Sequence, residues 1–157
     1  MNPTNKSQRT PKSRTSNRSV GLTKNLKVGA LAEDLFRSVS TSEGLRGWWS
    51  TEISGSHAKG KELKLGFRGG HIVRISLAKA ISPSIVEWNI KEHKPFNEWN
   101  GTRLSFSIEA DGPDRSMLTF MHVGLLQECE CYEVCQGGWD YYMASLKSFA
   151  EKGKGTP

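Results

Sequence analysis

The sequence has 157 residues, 36% of them hydrophobic, and a formal net charge of +6 at neutral pH. A chain of this length has room for one domain with a core that needs neither disulfides nor a metal. The charge does not indicate a nucleic-acid-binding domain, because residues 1–19 carry five basic side chains and no acid, which leaves the remaining chain close to neutral.

Residues 1–19 are rich in Ser, Thr, Asn, Pro and basic residues, which predicts a disordered basic tail. No aromatic residue is interleaved there for base stacking, so we expect no specific binding of nucleic acid. We favour a solubilising tail over a loose electrostatic contact with nucleic acid or an acidic partner. The folded domain is expected over residues 20–152, followed by a disordered end at 153–157.

The three cysteines lie between Cys129 and Cys135, too close together for a disulfide framework. They lack the C-x-x-C spacing of a zinc site, so free thiols are predicted and no metal or other cofactor. No apolar run has the length of a signal peptide or a membrane span. We therefore expect a reduced, cytoplasmic protein without a membrane partner.

A weak first strand over residues 20–28 precedes two short helices. The first helix, over residues 30–39, has apolar side chains at every fourth position. The second begins at Thr41 or Ser42, either of which can cap it. The polar residues 50–61 are predicted as a loop.

Five later segments alternate apolar and polar side chains, which predicts strands joined by short turns. These segments are residues 62–67, 71–77, 85–90, 103–108 and 116–123. Between the third and the fourth lies the polar loop 91–102, in which Phe96 and Trp99 indicate a flexible pocket mouth or a protein contact. With the first strand, they form an antiparallel sheet of about six strands.

The last long segment, residues 135–153, is predicted as an α-helix with one broad apolar stripe. The stripe consists of Trp139, Tyr142, Met143, Leu146, Phe149 and Ala150. Gly153 follows as a carboxy-terminal stop. A sheet with one apolar face and a helix with one apolar stripe must pack together, so the fold class is α+β.

One helix is about 10 Å wide, whereas six strands spaced by about 4.8 Å are much wider, so large side chains either fill the space between them or line a pocket. We predict a pocket. The candidate ligand-binding residues are Trp48, Trp49, Phe67, Trp88, Phe106, Phe120, His122, Trp139, Tyr142 and Met143.

His122 is the most informative titratable residue, because it shares a strand face with Leu118 and Phe120. A neutral imidazole in a pocket can donate a hydrogen bond to a ligand carbonyl or transfer a proton. The alternative is a core histidine satisfied within the protein, and we favour it over a catalytic role. No nucleophile elbow and no zinc-binding helix motif is present, so no catalytic residue is predicted.

Three motifs together resemble one known family. They are EGLRGWW at residues 43–49, TFMHVG at residues 119–124, and Gly138-Trp139 followed by Leu146-Lys147. They are similar to motifs in homologues of the C-terminal domain of the heat-shock-chaperone ATPase activator, which belong to the START-like (SRPBCC) superfamily of helix-grip domains. The likeness covers about residues 26–152.

The resemblance implies a curved antiparallel sheet that grips the terminal helix around a cavity for a hydrophobic small molecule, lipids included. It implies no fixed catalytic residue, and fold analogy does not supply the ligand. Binding of a hydrophobic or aromatic small molecule is therefore the leading hypothesis. The alternatives are a protein-interaction module that modulates a chaperone or another partner, and a cyclase- or hydrolase-like enzyme that uses His122.

Overall fold

The computed structural model describes residues 21–157, so the predicted tail at residues 1–19 lies outside the described part of the chain. A single sheet and three helices account for most of it. In chain order, these elements are β1 (Gly21–Val28), α1 (Ala32–Ser40), α2 (Ser42–Trp48), β2 (Glu52–Gly55), β3 (Glu62–Gly66), β4 (Ile72–Ile81), β5 (Ile85–Lys94), β6 (Arg103–Ala110), β7 (Ser116–Val123) and α3 (Tyr132–Lys152).

The sheet contains seven antiparallel strands in the order β1-β7-β6-β5-β4-β3-β2. Strands β2 to β7 form a meander, in which each strand pairs with the next one along the chain. Strand β1 is the exception, because it pairs with β7 in a register that places Gly21 opposite Val123. The predicted α+β class, with two short helices after the first strand and a long terminal helix, is confirmed.

Several boundaries differ from the prediction. The predicted loop 50–61 contains the edge strand β2, in which only Ile53 is even partly buried. Strand β2 is held by main-chain hydrogen bonds to β3 and not by a buried face of its own. Its side chains therefore do not alternate between apolar and polar, and the sequence gives no strand pattern there. Strand β5 also continues to Lys94, into the predicted loop 91–102, and a one-turn helix at Asn97–Trp99 occupies part of the remainder.

Helix α3 begins at Tyr132, three residues before the predicted start, and ends at Lys152. Gly153 follows with a positive φ of 79°, and its N–H donates to the carbonyl of Phe149, which confirms the predicted stop. Within the described residues, no helix is both long enough and apolar enough to span a bilayer.

Helices α1 and α2 cover one end of the sheet. Thr41 caps α2, because its hydroxyl accepts a hydrogen bond from the Gly44 N–H at 3.0 Å. The two helices approach closely at Gly44, where a Cβ atom would overlap the carbonyl oxygen of Arg37. The buried indoles of Trp48 and Trp88 stabilise the packing of α1, because each donates a hydrogen bond of 2.8 Å to a main-chain carbonyl of this helix.

The segment after α3, which the sequence predicts as a disordered end, lies along the helix. Thr156 N–H donates to Ser145 Oγ at 2.7 Å, and Tyr141 Oη donates to the Thr156 carbonyl at 2.9 Å. The Ser148 hydroxyl donates to the Lys154 carbonyl at 2.6 Å. These contacts place Pro157 beside the first half of α3.

Candidate functional site

A cavity of about 800 Å³ lies between the first half of α3 and the part of the sheet formed by β2 to β5. Its volume is within the range of about 300–1,000 Å³ that is typical of small-molecule sites. Trp49 after α2 and Phe67 after β3 close one side, while Phe96 and Trp99 in the loop between β5 and β6 close another. The cavity therefore collects side chains from distant parts of the sequence.

Aromatic rings form most of the cavity wall. The indoles of Trp99 and Trp139 are stacked, with centroids 5.7 Å apart and planes inclined by 16°. Trp49 packs against Trp139 with centroids 5.5 Å apart, and Phe67 meets Tyr142 at 6.2 Å. The nearly buried indoles thus support one another behind the partly exposed rings of Phe67 and Tyr142, which face the cavity.

The ten predicted ligand-binding residues fall into two groups. Trp49, Phe67, Trp139 and Tyr142 line the cavity. The other six are buried in the core beside it: Trp48, Trp88, Phe106, Phe120, His122 and Met143. Alternation along a strand identifies the inward face but not the part of that face that α1 and α2 cover. A ligand-binding role for these ten residues stays a prediction.

His122 is fully buried, and both of its ring nitrogens are hydrogen bonded. Trp139 Nε1 donates to His122 Nδ1 at 3.1 Å, which leaves the ring proton on Nε2. Nε2 then donates to Thr102 Oγ1 at 2.8 Å, and the Thr102 hydroxyl donates to the Trp99 carbonyl. Burial, with a smaller effect of His93, lowers the pKa of His122 to about 3, so its ring is neutral at neutral pH.

His93, which the sequence analysis did not single out, lines the cavity with only 6% of its surface exposed. Its Nδ1 accepts a hydrogen bond from the Phe96 N–H at 3.0 Å, so the proton lies on Nε2. Among residues 21–157, only Arg103 Nε is a fully buried side-chain nitrogen or oxygen without a partner. No described group accepts a hydrogen bond from His93 Nε2, yet this nitrogen is not one of the fully buried atoms without a partner. It is therefore accessible from the cavity. Burial, and secondarily His71, lowers the pKa of His93 to about 4.

A β-bulge explains why the alternation pattern missed His93. The pairing of β4 and β5 shifts register between Arg74 and Ile75, so that Ile75 pairs with Ile90 and Arg74 with Glu92. The extra residue, Lys91, moves the following side chains to the opposite face of the sheet. His93 thereby turns inward although the preceding inward residues of β5 have even numbers.

The loop between β5 and β6 is attached to the start of α3. The Glu98 carboxylate accepts hydrogen bonds from the N–H groups of Glu130 and Cys131, at 2.9 and 3.1 Å. These hydrogen bonds lower the pKa of Glu98 and cap a helix whose own N-cap residue makes no side-chain cap. Trp99 Nε1 donates to Cys135 Sγ at 3.1 Å. The loop predicted as a flexible pocket mouth or a protein contact thus lines the cavity and is hydrogen bonded to the start of α3.

The cysteine thiols do not form a reactive centre. Burial raises the pKa of Cys131 and of Cys135, which keeps both protonated at neutral pH. Residues 21–157 contain no group of three or more His, Cys, Asp or Glu side chains placed to hold a metal ion.

The mouth of the cavity exposes two apolar side chains of α3, Val134 at 65% and Tyr141 at 53%. They are seven residues apart and share one face of the helix. The charged lining residues Glu52 and Arg68 are also exposed at this rim. The interior is therefore aromatic, whereas its charges are confined to the entrance.

Comparison with solved structures gives the relationship of this fold to known proteins. The chain matches the solution structure of the Aha1 dimer from Colwellia psychrerythraea with a TM-score of 0.75 and 28% identity, over 87% of this chain and 99% of that chain. The chain has a START-like helix-grip fold. This likeness confirms the resemblance predicted from the three sequence motifs.

More distant structures share the fold of this helix-grip domain. A protein of Staphylococcus saprophyticus matches with a TM-score of 0.66 and 16% identity, over 88% of this chain and 96% of that chain. The CalU16 protein of Micromonospora echinospora matches with a TM-score of 0.66 and 13% identity, over 86% and 76% of the respective chains. No family model and no curated protein sequence matches the chain.

Proposed function

We propose that this helix-grip domain binds a hydrophobic, aromatic small molecule between its sheet and α3. The cavity of about 800 Å³ with its aromatic wall is the observation that carries the proposal. Rigid indole and phenyl rings offer a large apolar contact area and lose little conformational entropy when they bind. The partly exposed flat rings of Phe67, Phe96 and Tyr142 favour an aromatic ligand over a saturated chain such as a fatty acid.

A neutral fluorescent probe, N-phenyl-1-naphthylamine, tests this proposal. We expect saturable, one-to-one binding, detected as an increase in probe fluorescence. Gly138 lines the cavity with open space around its missing Cβ, so the Gly138→Leu variant should fill the site and weaken binding by about tenfold or more.

Gly137→Leu is the matched control. Gly137 is the neighbouring residue of α3, its missing Cβ also meets nothing within 4 Å, and it does not line the cavity. Both substitutions replace a helical glycine, so both should stabilise the helix by about 0.5–1 kcal/mol. The proposal fails if the probe does not bind saturably, or if both variants weaken binding equally.

A second candidate is interaction with another protein, such as a second copy of the chain. The related structure from Colwellia psychrerythraea is described as a dimer, and α3 exposes Val134 and Tyr141 on one face. Modulation of a chaperone, one of the alternatives in the sequence analysis, belongs to this candidate. An exposed apolar pair at a cavity mouth is a plausible contact surface for such a partner.

Sedimentation velocity over a range of concentrations tests self-association through this face. We expect a concentration-dependent dimer that Val134→Glu converts to monomer, because a carboxylate there would lose its water in the interface. Ile81→Glu is the control, since Ile81 is 50% exposed but lies at the end of β4, outside the cavity lining. A wild-type protein that stays monomeric throughout would exclude this mode of association.

Catalysis is not part of the proposal. Both ring nitrogens of His122 are engaged by protein groups, and the Cys135 thiol is protonated and hydrogen bonded to Trp99. The cytoplasmic location expected from the sequence remains a prediction.

A further inference from the structure

Among the cavity-lining residues, His93 combines near-complete burial with a ring nitrogen that has no protein partner. The imidazole is 6% exposed, and no described residue accepts a hydrogen bond from its Nε2. Nε2 is not a fully buried atom, so a ligand that covers it without offering an acceptor would leave it unpaired at a cost of about 1–3 kcal/mol, which a ligand acceptor avoids. This unused donor therefore indicates the polar feature that the ligand carries.

The direction of this donor is fixed before any ligand arrives. Nδ1 of His93 accepts from the Phe96 N–H at 3.0 Å, and the main-chain N–H of His93 donates to Asn100 Oδ1 at 2.8 Å. The ring is stacked on Phe96, with centroids 5.2 Å apart, and lies 4.3 Å from the ring of Trp99. Tautomer and ring orientation are thus both determined by the protein, which reduces the cost of binding an acceptor there.

The surroundings favour a neutral acceptor over an anion. Burial and the nearby His71 keep His93 uncharged at neutral pH. Arg68 is the one arginine or lysine among the described lining residues, and it is exposed at the rim, as is the acidic Glu52. A carboxylate or sulfonate beside His93 would lose its hydration without gaining a partner of opposite charge.

From this geometry we infer that the cavity selects a flat aromatic molecule carrying a neutral carbonyl group, whose oxygen accepts a hydrogen bond from His93 Nε2. The aromatic rings of the ligand would lie against the partly exposed ring of Phe96, which is stacked on His93. The inference rests on the proposed small-molecule function and specifies its ligand class. His93 thus takes the role of hydrogen-bond donor that the sequence analysis considered for His122.

Xanthone and xanthene are suitable test compounds, because they have the same three fused rings and differ in that xanthone carries a carbonyl where xanthene has a methylene. Dissociation constants are measured from backbone-amide NMR shifts at neutral pH. We expect wild-type protein to bind xanthone about 5- to 100-fold more tightly than xanthene. The ¹⁵N resonance of His93 Nε2 should shift with xanthone and not with xanthene.

His93→Asn removes the donor selectively, because its side-chain oxygen can replace Nδ1 as acceptor for the Phe96 N–H. In this variant the two compounds should bind within about twofold of each other. His57→Asn is the control: His57 lies outside the cavity lining, and its Nδ1 likewise accepts a main-chain hydrogen bond, from Ser42 at 3.1 Å. The control should keep the full preference for xanthone.

The possible failures are distinguishable. If both compounds bind wild-type protein equally, or if His93→Asn keeps the preference, the role of His93 is overturned while small-molecule binding stands. If xanthene-9-carboxylate binds more tightly than xanthone, the cavity takes an anion and the neutral-carbonyl assignment is wrong. If none of the three compounds and no N-phenyl-1-naphthylamine binds, both the inference and the proposed function fail.

Discussion

Replacing Trp139 by alanine should lower the free energy of unfolding by about 3–5 kcal/mol, a large part of the 5–15 kcal/mol typical of a domain. The side chain is 2% exposed, and its ring centroid lies 4.5 Å from that of Phe120 and 5.5 Å from that of Trp49. Its Nε1 also supplies the hydrogen bond that satisfies His122 Nδ1. The alanine variant therefore loses apolar packing and leaves a buried acceptor unpaired.

Urea denaturation followed by far-ultraviolet circular dichroism measures this loss without relying on tryptophan fluorescence. Trp139→Phe keeps an aromatic ring and should lose less stability than the alanine variant, mainly because the hydrogen bond to His122 is missing. Val134→Ala is the control on the same helix, because a side chain exposed at 65% should change stability by no more than about 0.5 kcal/mol. A loss below about 1 kcal/mol in Trp139→Ala would contradict the packing described here.

Stability should fall steeply as the pH drops below about 6.5. Burial lowers the pKa of His122 to about 3 and that of His93 to about 4, whereas both have a value of 6.5 in the unfolded chain. Between these values the unfolded state binds more protons than the folded state, so acid favours unfolding. Each histidine contributes up to about 1.4 kcal/mol per pH unit, which gives about 4 kcal/mol for the pair at pH 5.

Urea denaturation at pH 5, 6 and 7 tests this dependence. The carboxylates with lowered pKa values, Glu98 and Glu151, start from 4.5 and lose their contribution only below that pH, so they do not affect this range. The His122→Asn variant should be less stable overall but show about half the pH slope. A stability that is constant from pH 7 to pH 5 would show that the two rings are not held neutral.

The period-two pattern of the strands and the apolar stripe of α3 were sufficient to predict the fold class. Phe106 and Phe120 illustrate why: both are inward residues of regular strands, and both are fully buried. The pattern succeeds where one face of an element meets the core and the other meets water.

The site was only partly predictable, because its position depends on contacts between distant segments. The helix that covers a given part of the sheet decides where an inward aromatic side chain lies. Trp88 packs in the core beneath α1, whereas Trp49 lines the cavity. His93 was hidden by the bulge at Lys91, since a one-residue insertion reverses the alternation without leaving a sequence signal. Trp99 is buried against Trp139 and donates a hydrogen bond to Cys135, partners that lie 40 and 36 residues further along the chain.

The pairing of β1 with β7 has a consequence for synthesis on the ribosome. Gly21 emerges from the ribosome long before Val123, its partner in the sheet. At the usual rate of roughly 5–20 residues per second, β1 waits about 5–20 s for β7 to be made. During that interval its main-chain hydrogen-bonding groups have no sheet to join. The nascent chain can therefore complete this sheet only after β7 has been made, and β1 is the strand of the sheet that waits longest for its partner.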